Sequence, residues 1–316
     1  MATSSAPSAF DGGAESYWRK YIAHRPDYTV SNFYPLIWNY HEKHSNRYAL
    51  AHDVGTGPGN VAGILAKRFS NVRASDPSKL HLDVAKSWIN NPSVTFHQSR
   101  AEELVDVVEP HEHGQADLVA AAECIMLMNP ERSVTEFAKL LRPGGTVAIW
   151  AYGRPIFPDD ETQGLYDKIS AKAWERVFPS KTLEMENAVK TMKSWLDVVA
   201  FPPETWTDVK RIKRNNDRPL NLVSDEHFDH KIKYQSGVGP GDKVEEQVDR
   251  NFWMKEGCGI DWVKGFIDVQ YPWETTNDET SEQLKPLYEE LEIAMGGKGC
   301  KVKIAWPVVL LLATKR

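Results

Sequence analysis

Apolar positions along this chain switch between two rhythms, and the switches mark its elements. Tyr48-Ala49-Leu50-Ala51 is a short apolar run that reads as a strand, and Val61-Ala62-Gly63-Ile64-Leu65-Ala66-Lys67-Arg68-Phe69 reads as the helix after it. Residues 48–152 keep alternating strand and helix, which predicts a parallel sheet with helices on both faces. Residues 160–200 carry apolar side chains at Leu165, Ile169, Ala173 and Val177, a helical spacing. From Trp206 to Ile212 the pattern alternates as in a strand, and Val308–Thr314 reads as a buried strand. Residues 13–45 read as helical, interrupted at Pro26 and Pro35, and residues 1–12 as disordered. Residues 214–299 mix helices and loops.

Composition narrows the class. The 316 residues are 41% hydrophobic and 26% charged, ordinary for a globular protein. A net charge of −6 offers no footprint for nucleic acid or an anionic membrane. The run Lys210-Arg211-Ile212-Lys213-Arg214 reads as a solvated strand edge. No apolar run reaches membrane-span length, and residues 1–9 lack the charged and apolar regions of a signal peptide. Cys124, Cys258 and Cys300 form no metal or disulfide pattern, so a reducing, cytoplasmic setting is expected. Many of the 11 tryptophans lie after residue 150, which points to a large aromatic core or an apolar pocket there.

The chemistry concentrates in Asp53-Val54-Gly55-Thr56-Gly57-Pro58-Gly59-Asn60, a glycine loop between strand and helix. Glycine reaches positive φ cheaply and lets a ligand approach the backbone. A dinucleotide fingerprint would need Gly or Ala where Asn60 stands; the spacing here is Gly-x-Gly-x-Gly. Gly237-Val238-Gly239-Pro240-Gly241-Asp242 follows no apolar strand and reads as a plain surface loop.

The first loop resembles the opening motif of class I S-adenosylmethionine (SAM)-dependent methyltransferases, and the resemblance continues in order. Val72–Ser78 looks like the second strand, ending on Asp76; Val94–Glu102 like the third strand and its turn; Asp117–Glu123 like the fourth; and Leu140–Trp150 like the Leu-x-Pro-Gly-Gly turn into the fifth. Tyr17-Trp18-Arg19-Lys20-Tyr21-Ile22-Ala23-His24-Arg25-Pro26-Asp27-Tyr28 resembles the Tyr-x-x-x-Arg-Pro-x-Tyr segment, here residues 21–28, that folds over the cofactor in the subfamily of the fungal trans-aconitate methyltransferase. The resemblance implies an α/β, Rossmann-like, seven-stranded sheet whose last strand inserts antiparallel. It implies an N-terminal lid (1–45), a SAM-binding core (46–213), a cap over the substrate (214–299) and a final core strand (300–316). The cofactor is expected against Tyr21, Asp53, Gly55, Thr56, Gly57, Gly59, Asp76, Pro77, Ala101, Glu102 and Glu123, with Asp76 accepting from the ribose hydroxyls.

After the fourth strand the chain departs from the subfamily. Its relatives follow with His-Trp and then Asp, whereas this chain has Met126-Leu127-Met128-Asn129. Met126, Leu127, Met128, Tyr152 and Trp253 are therefore read as lining a pocket for a small, fairly apolar metabolite of secondary metabolism. The alternative is a cyclase or isomerase on the same fold that binds SAM without consuming it. Histidines 24, 41, 44, 97, 111, 113, 227 and 230 are possible bases, His24 foremost because its segment should lie near the cofactor. His111-Glu112-His113 lacks a third ligand nearby and reads as a solvated turn, so no metal is expected. The partner is expected to be a small molecule, and the chain a monomer or homodimer.

Overall fold

The computed structural model describes residues 15–28, 32–174, 183–221, 233–270 and 278–316. Residues 1–12, Val177, His227 and His230 fall outside these. Helices α1 (Glu15–His24) and α2 (Tyr34–His44) precede strand β1 (Leu50–Val54). There follow α3 (Asn60–Leu65), β2 (Asn71–Asp76), α4 (Lys79–Trp88), β3 (Val94–Gln98), α5 (Leu104–Val107), β4 (Ala116–Ala122), α6 (Pro130–Leu140) and β5 (Leu141–Tyr152). The second half adds α7 (Asp160–Trp174), α8 (Leu183–Lys193), β6 (Trp206–Arg214), β7 (Lys243–Gln247), β8 (Met254–Cys258), α9 (Ile260–Gln270), α10 (Asp278–Ala294), β9 (Val302–Ala305) and β10 (Val308–Lys315). Pro35 sits in the first turn of α2, where its missing N–H costs nothing, and so starts that helix instead of breaking it.

The main sheet runs β3-β2-β1-β4-β5-β10-β6-β7. The first five strands pair in parallel, and β10 inserts antiparallel between β5 and β6. Alternation along β5 and β10 feeds two cores. Ala148, Trp150, Leu310 and Leu312 join one face with α2, α7 and α9; Val147, Ile149, Val309 and Leu311 join the other with α6 and α8. A sheet covered on both faces needs nearly continuous apolar strands, which is why the Val308 run is so legible.

Four expectations are corrected. The sheet has eight strands, not seven, because β7 pairs in parallel along β6 from Lys210↔Lys243 to Arg214↔Gln247. All five β7 residues are exposed, so no apolar run announces the strand. The basic run is accordingly not a solvated edge. Arg211 is fully buried, its Nε donating to Asp242 Oδ2 at 2.7 Å and its Nη2 to the Val199 carbonyl at 2.8 Å. The loop at 237–242 is thus an anchor for β6: its Asp242 turns a shielded side chain to Arg211, and Gly237 packs against the backbone of Ala200. Finally, β1 begins two residues later than read and runs on through His52 and Asp53, both buried, so polar residues hid its end.

Candidate functional site

Strand β1 delivers Asp53 to the carboxyl edge of the sheet, where open α/β sheets bind ligands. Its Oδ2 accepts from Thr56 Oγ1 at 2.6 Å, while its buried Oδ1 has no partner. Burial pushes this carboxyl up to about 7, against the lowering bond from Thr56. The chain then turns through Gly55, Gly57 and Gly59, all at positive φ. The three glycines have different reasons. A Cβ on Gly55 would lie 2.7 Å from Cys124 Cβ, and one on Gly59 would lie 2.5 Å from Ile89 Cδ1. A Cβ on Gly57 would meet nothing within 4 Å. Gly55 and Gly59 serve packing; Gly57 faces open space.

Asp76 ends β2 beside that space. Its Oδ2 accepts from the Gly57 N–H at 3.0 Å, and its Oδ1 accepts from the Ser78 N–H at 2.9 Å and lies 3.0 Å from His81 Nδ1. Trp18 of α1 meets the His81 ring edge-on at 4.7 Å, so the N-terminal helix reaches across to this carboxylate. Pro77 is exposed, its carbonyl held by Gln98 Nε2. Ala101 is buried in the core of the α6 face, and Glu102 Oε1 accepts from the Asn129 N–H at 2.7 Å, tying the β3 turn to the start of α6.

A second cluster lies at the ends of β4 and β5. Glu123 follows β4 with a left-handed backbone, φ +54°, which a non-glycine residue adopts only when its surroundings fix it there. Its N–H donates to the Trp150 carbonyl at 2.9 Å, and its Oε1 accepts from the Tyr152 N–H. Its other oxygen has no hydrogen-bond partner among the described residues. Burial pushes the carboxyl up to about 8, although the Tyr152 N–H and Arg25 act to lower it. Arg25, just past α1, donates from Nη1 to the Tyr152 hydroxyl at 2.7 Å and lies over the Tyr21 ring at 4.8 Å. Its Nε is buried without a partner. Tyr28 meets Trp150, Tyr152 and Trp253 at ring-centroid distances of 6.1, 6.4 and 5.7 Å.

The structure brings Tyr21, Tyr152, Trp253 and Glu123 to this cluster but does not gather the five residues expected to line a pocket. Met126 is 9% exposed and lies in the core of the α6 and α8 face, Leu127 is 57% exposed, and Met128 packs against that same core. Tyr152 and Trp253 belong to the opposite face. His24 is placed elsewhere too: its Nδ1 is bonded to the Lys20 carbonyl at 2.8 Å, and its ring abuts Gly265 of α9. One residue further the chain has rotated by about 100°, which turns Arg25 inward in its stead. His41 bonds Thr146 and the Arg47 carbonyl in the core, and His44 bonds the Tyr40 carbonyl. The turn at 111–113 is less solvated than expected, since Glu112 accepts from Arg73 and His113 Nε2 lies within 3.1 Å of two carbonyls. No group of three metal-ligating side chains occurs among the described residues. Sequence reasoning missed Arg25, Tyr28 and His81 as individuals. The first two stand in the quoted 21–28 segment, and His81 lies one helical turn into α4, five positions after Asp76.

Comparison with known proteins gives three findings. A family model described as a methyltransferase domain matches residues 52–149. Methyltransferase pgmE of Aspergillus terreus is 39% identical over 95% of this chain and 94% of its own length. Methyltransferase cfoB of Aspergillus candidus is 38% identical over 100% of both chains. A solved structure of a proposed type II methyltransferase from Anaeromyxobacter dehalogenans covers 91% of this chain and 97% of its own, with a TM-score of 0.58 at 17% identity; that likeness concerns the fold alone.

Proposed function

Because this chain belongs to the class I SAM-dependent methyltransferases and SAM is its cofactor, we propose that it methylates a small, fairly apolar metabolite of secondary metabolism. The residues present fit that cofactor. Gly57 leaves open space at its Cα, and Asp53 holds a buried carboxylate oxygen without a partner beside it. In this reading Asp53, Gly57 and Asp76 hold the cofactor, and the 21–28 segment closes over it. Bound there, SAM supplies a methyl group on a sulfonium sulfur, open to in-line displacement. The protein's own contribution is to align the acceptor and to exclude water.

One observation carries the substrate class. Tyr28 closes over Trp150, Tyr152 and Trp253, three rings buried in the core at the ends of β4 and β5, with Arg25 and Glu123 as the charged members of the cluster. A ligand that parts the 21–28 segment from these rings would meet indole and phenol, which favour a planar apolar body and disfavour a polycarboxylate, because the latter would lose water without gaining donors. The apolarity argument rests on these rings and no longer on Met126, which packs on the opposite face of the sheet from Tyr152 and Trp253. We assign α1 and the 21–28 segment as lid, and the part of 214–299 bearing α9 as cap, on the packing of α1 against α9 at Lys20–Asp268 and His24–Gly265. The name of the A. terreus relative says methyltransferase, and that supports methyl transfer over a cyclisation that binds SAM without consuming it. The test is stoichiometry: S-adenosylhomocysteine should accumulate one-for-one with product from an apolar acceptor, and trans-aconitate should not be methylated. Product formed without S-adenosylhomocysteine would reject methyl transfer in favour of the cyclase; efficient methylation of aconitate would reject the apolar site.

A further inference from the structure

We propose that Glu123 accepts the proton of a substrate hydroxyl as that oxygen takes the methyl group, which makes this chain an O-methyltransferase of phenols or enols. The inference rests on the methyltransferase reading. Glu123 stands at the carboxyl end of β4, and its left-handed backbone and its bond from the Tyr152 N–H fix one carboxylate oxygen. The second oxygen is left without a hydrogen-bond partner among the described residues. The groups facing it are Arg25 and Tyr28 from the 21–28 segment, Tyr21 from α1, Tyr152 from β5 and the neighbouring Cys124. Arg25 is a cation. Burial holds Tyr28, Tyr152 and the Cys124 thiol protonated, each pushed well above its usual range. Glu123 is thus the group of this cluster able to take a proton near neutrality, and a base poised near the working pH is the efficient one.

The step balances. The substrate O–H breaks and its proton passes to the free oxygen of Glu123; the new O–C bond forms as the methyl–sulfur bond breaks, its electron pair neutralising the sulfonium. Glu123 then returns the proton to water. A carboxylic acid substrate would arrive ionised and need none of this.

The test compares wild type with Glu123→Gln, using 2-naphthol, 4-nitrophenol and 2-naphthoic acid as probes. Glu123 then serves the substrate, in place of the expected contact with the cofactor. Circular dichroism establishes folding, and the variant, which keeps an oxygen for the Tyr152 N–H, should bind S-adenosylhomocysteine within about threefold of wild type. Its kcat/KM for 2-naphthol should fall by about 10²-fold or more, the usual scale for a general base. The more acidic 4-nitrophenol should lose much less. A readout without turnover is the absorbance of 4-nitrophenol bound beside S-adenosylhomocysteine. On wild type the phenol and Glu123 share a proton, so the titration should spread over two steps, the second shifted upward by the like charge, whereas the variant should show a single step. In wild type alone, kcat/KM for 2-naphthol should rise with pH through a limb near 8. Equal loss on both phenols, a single-step absorbance titration on wild type, or loss of S-adenosylhomocysteine binding would overturn the assignment. Methylation of 2-naphthoic acid but not of 2-naphthol would overturn it while leaving methyl transfer standing. No S-adenosylhomocysteine from any probe would count against the methyltransferase reading itself.

Discussion

At the scale of the residue, position 57 separates ligand binding from folding. Its φ of +53° and the open space at its Cα mean that Gly57→Val both strains the turn and fills the approach. Calorimetry should show no binding of SAM or S-adenosylhomocysteine, while circular dichroism stays that of the wild type. Asp76→Ala should weaken cofactor binding by about 1–3 kcal/mol, since it deletes charge-assisted hydrogen bonds. It also frees the Gly57 and Ser78 N–H groups, so part of the loss comes from a loosened loop. Glu123 makes a stability prediction whose sign can be worked out. Its folded carboxyl sits near 8, above the usual range, so the folded state holds a proton that the unfolded state releases. That stabilisation is complete below about pH 4.5 and disappears as pH rises through 8. The Tm of wild type minus that of Glu123→Gln, which mimics the protonated carboxyl, should therefore fall steadily from pH 5 to pH 8; a difference independent of pH would refute the raised carboxyl.

At the scale of the element, two contacts differ sharply in what they contribute. Arg211 couples β6 to the 237–242 loop from a fully buried position. Arg211→Ala leaves Asp242 buried without its partner and should cost about 3–5 kcal/mol in urea unfolding. The pair Lys20–Asp268 joins α1 to α9 with both side chains more than 40% exposed. Its loss should cost no more than about 1 kcal/mol. What docks α1 is packing: a Cβ on Gly265 would fall 2.1 Å from the His24 ring. Gly265→Val should push α1 away and weaken cofactor affinity while leaving Tm within a few degrees, because the sheet does not depend on that contact. Unchanged affinity would argue that α1 is no lid.

At the scale of the molecule, ligand and fold are coupled by mass action. Saturation at a hundred times Kd adds about 2.7 kcal/mol to stability, so S-adenosylhomocysteine should raise the Tm of the whole chain by several degrees and do nothing to Gly57→Val. No helix among the described residues is long and apolar enough to cross a membrane, in line with the absence of a long apolar run in the sequence. The sequence by itself determined the elements whose signal is local. The alternation of residues 48–152, the glycine loop and the Val308 run specify a parallel sheet and a buried final strand, because buried strands are apolar along their length and glycine reaches positive φ cheaply; the antiparallel insertion of that strand followed from the family resemblance alone. Even the last polar residues of β1 were not legible, since burying His52 and Asp53 depends on partners far along the chain. Strand β7 was invisible for the opposite reason: an edge strand exposed at every residue carries no hydrophobic pattern, and only its register with β6 defines it. The site divides the same way. Spacing singled out Asp53, Gly57 and Asp76, but which glycine faces open space was decided by Cys124 and Ile89, residues outside the loop. Tertiary structure alone turned His24 away, brought Arg25 to Tyr152, and moved Met126 into the core, because side-chain direction follows from helix rotation and sheet face, which no single stretch of sequence encodes.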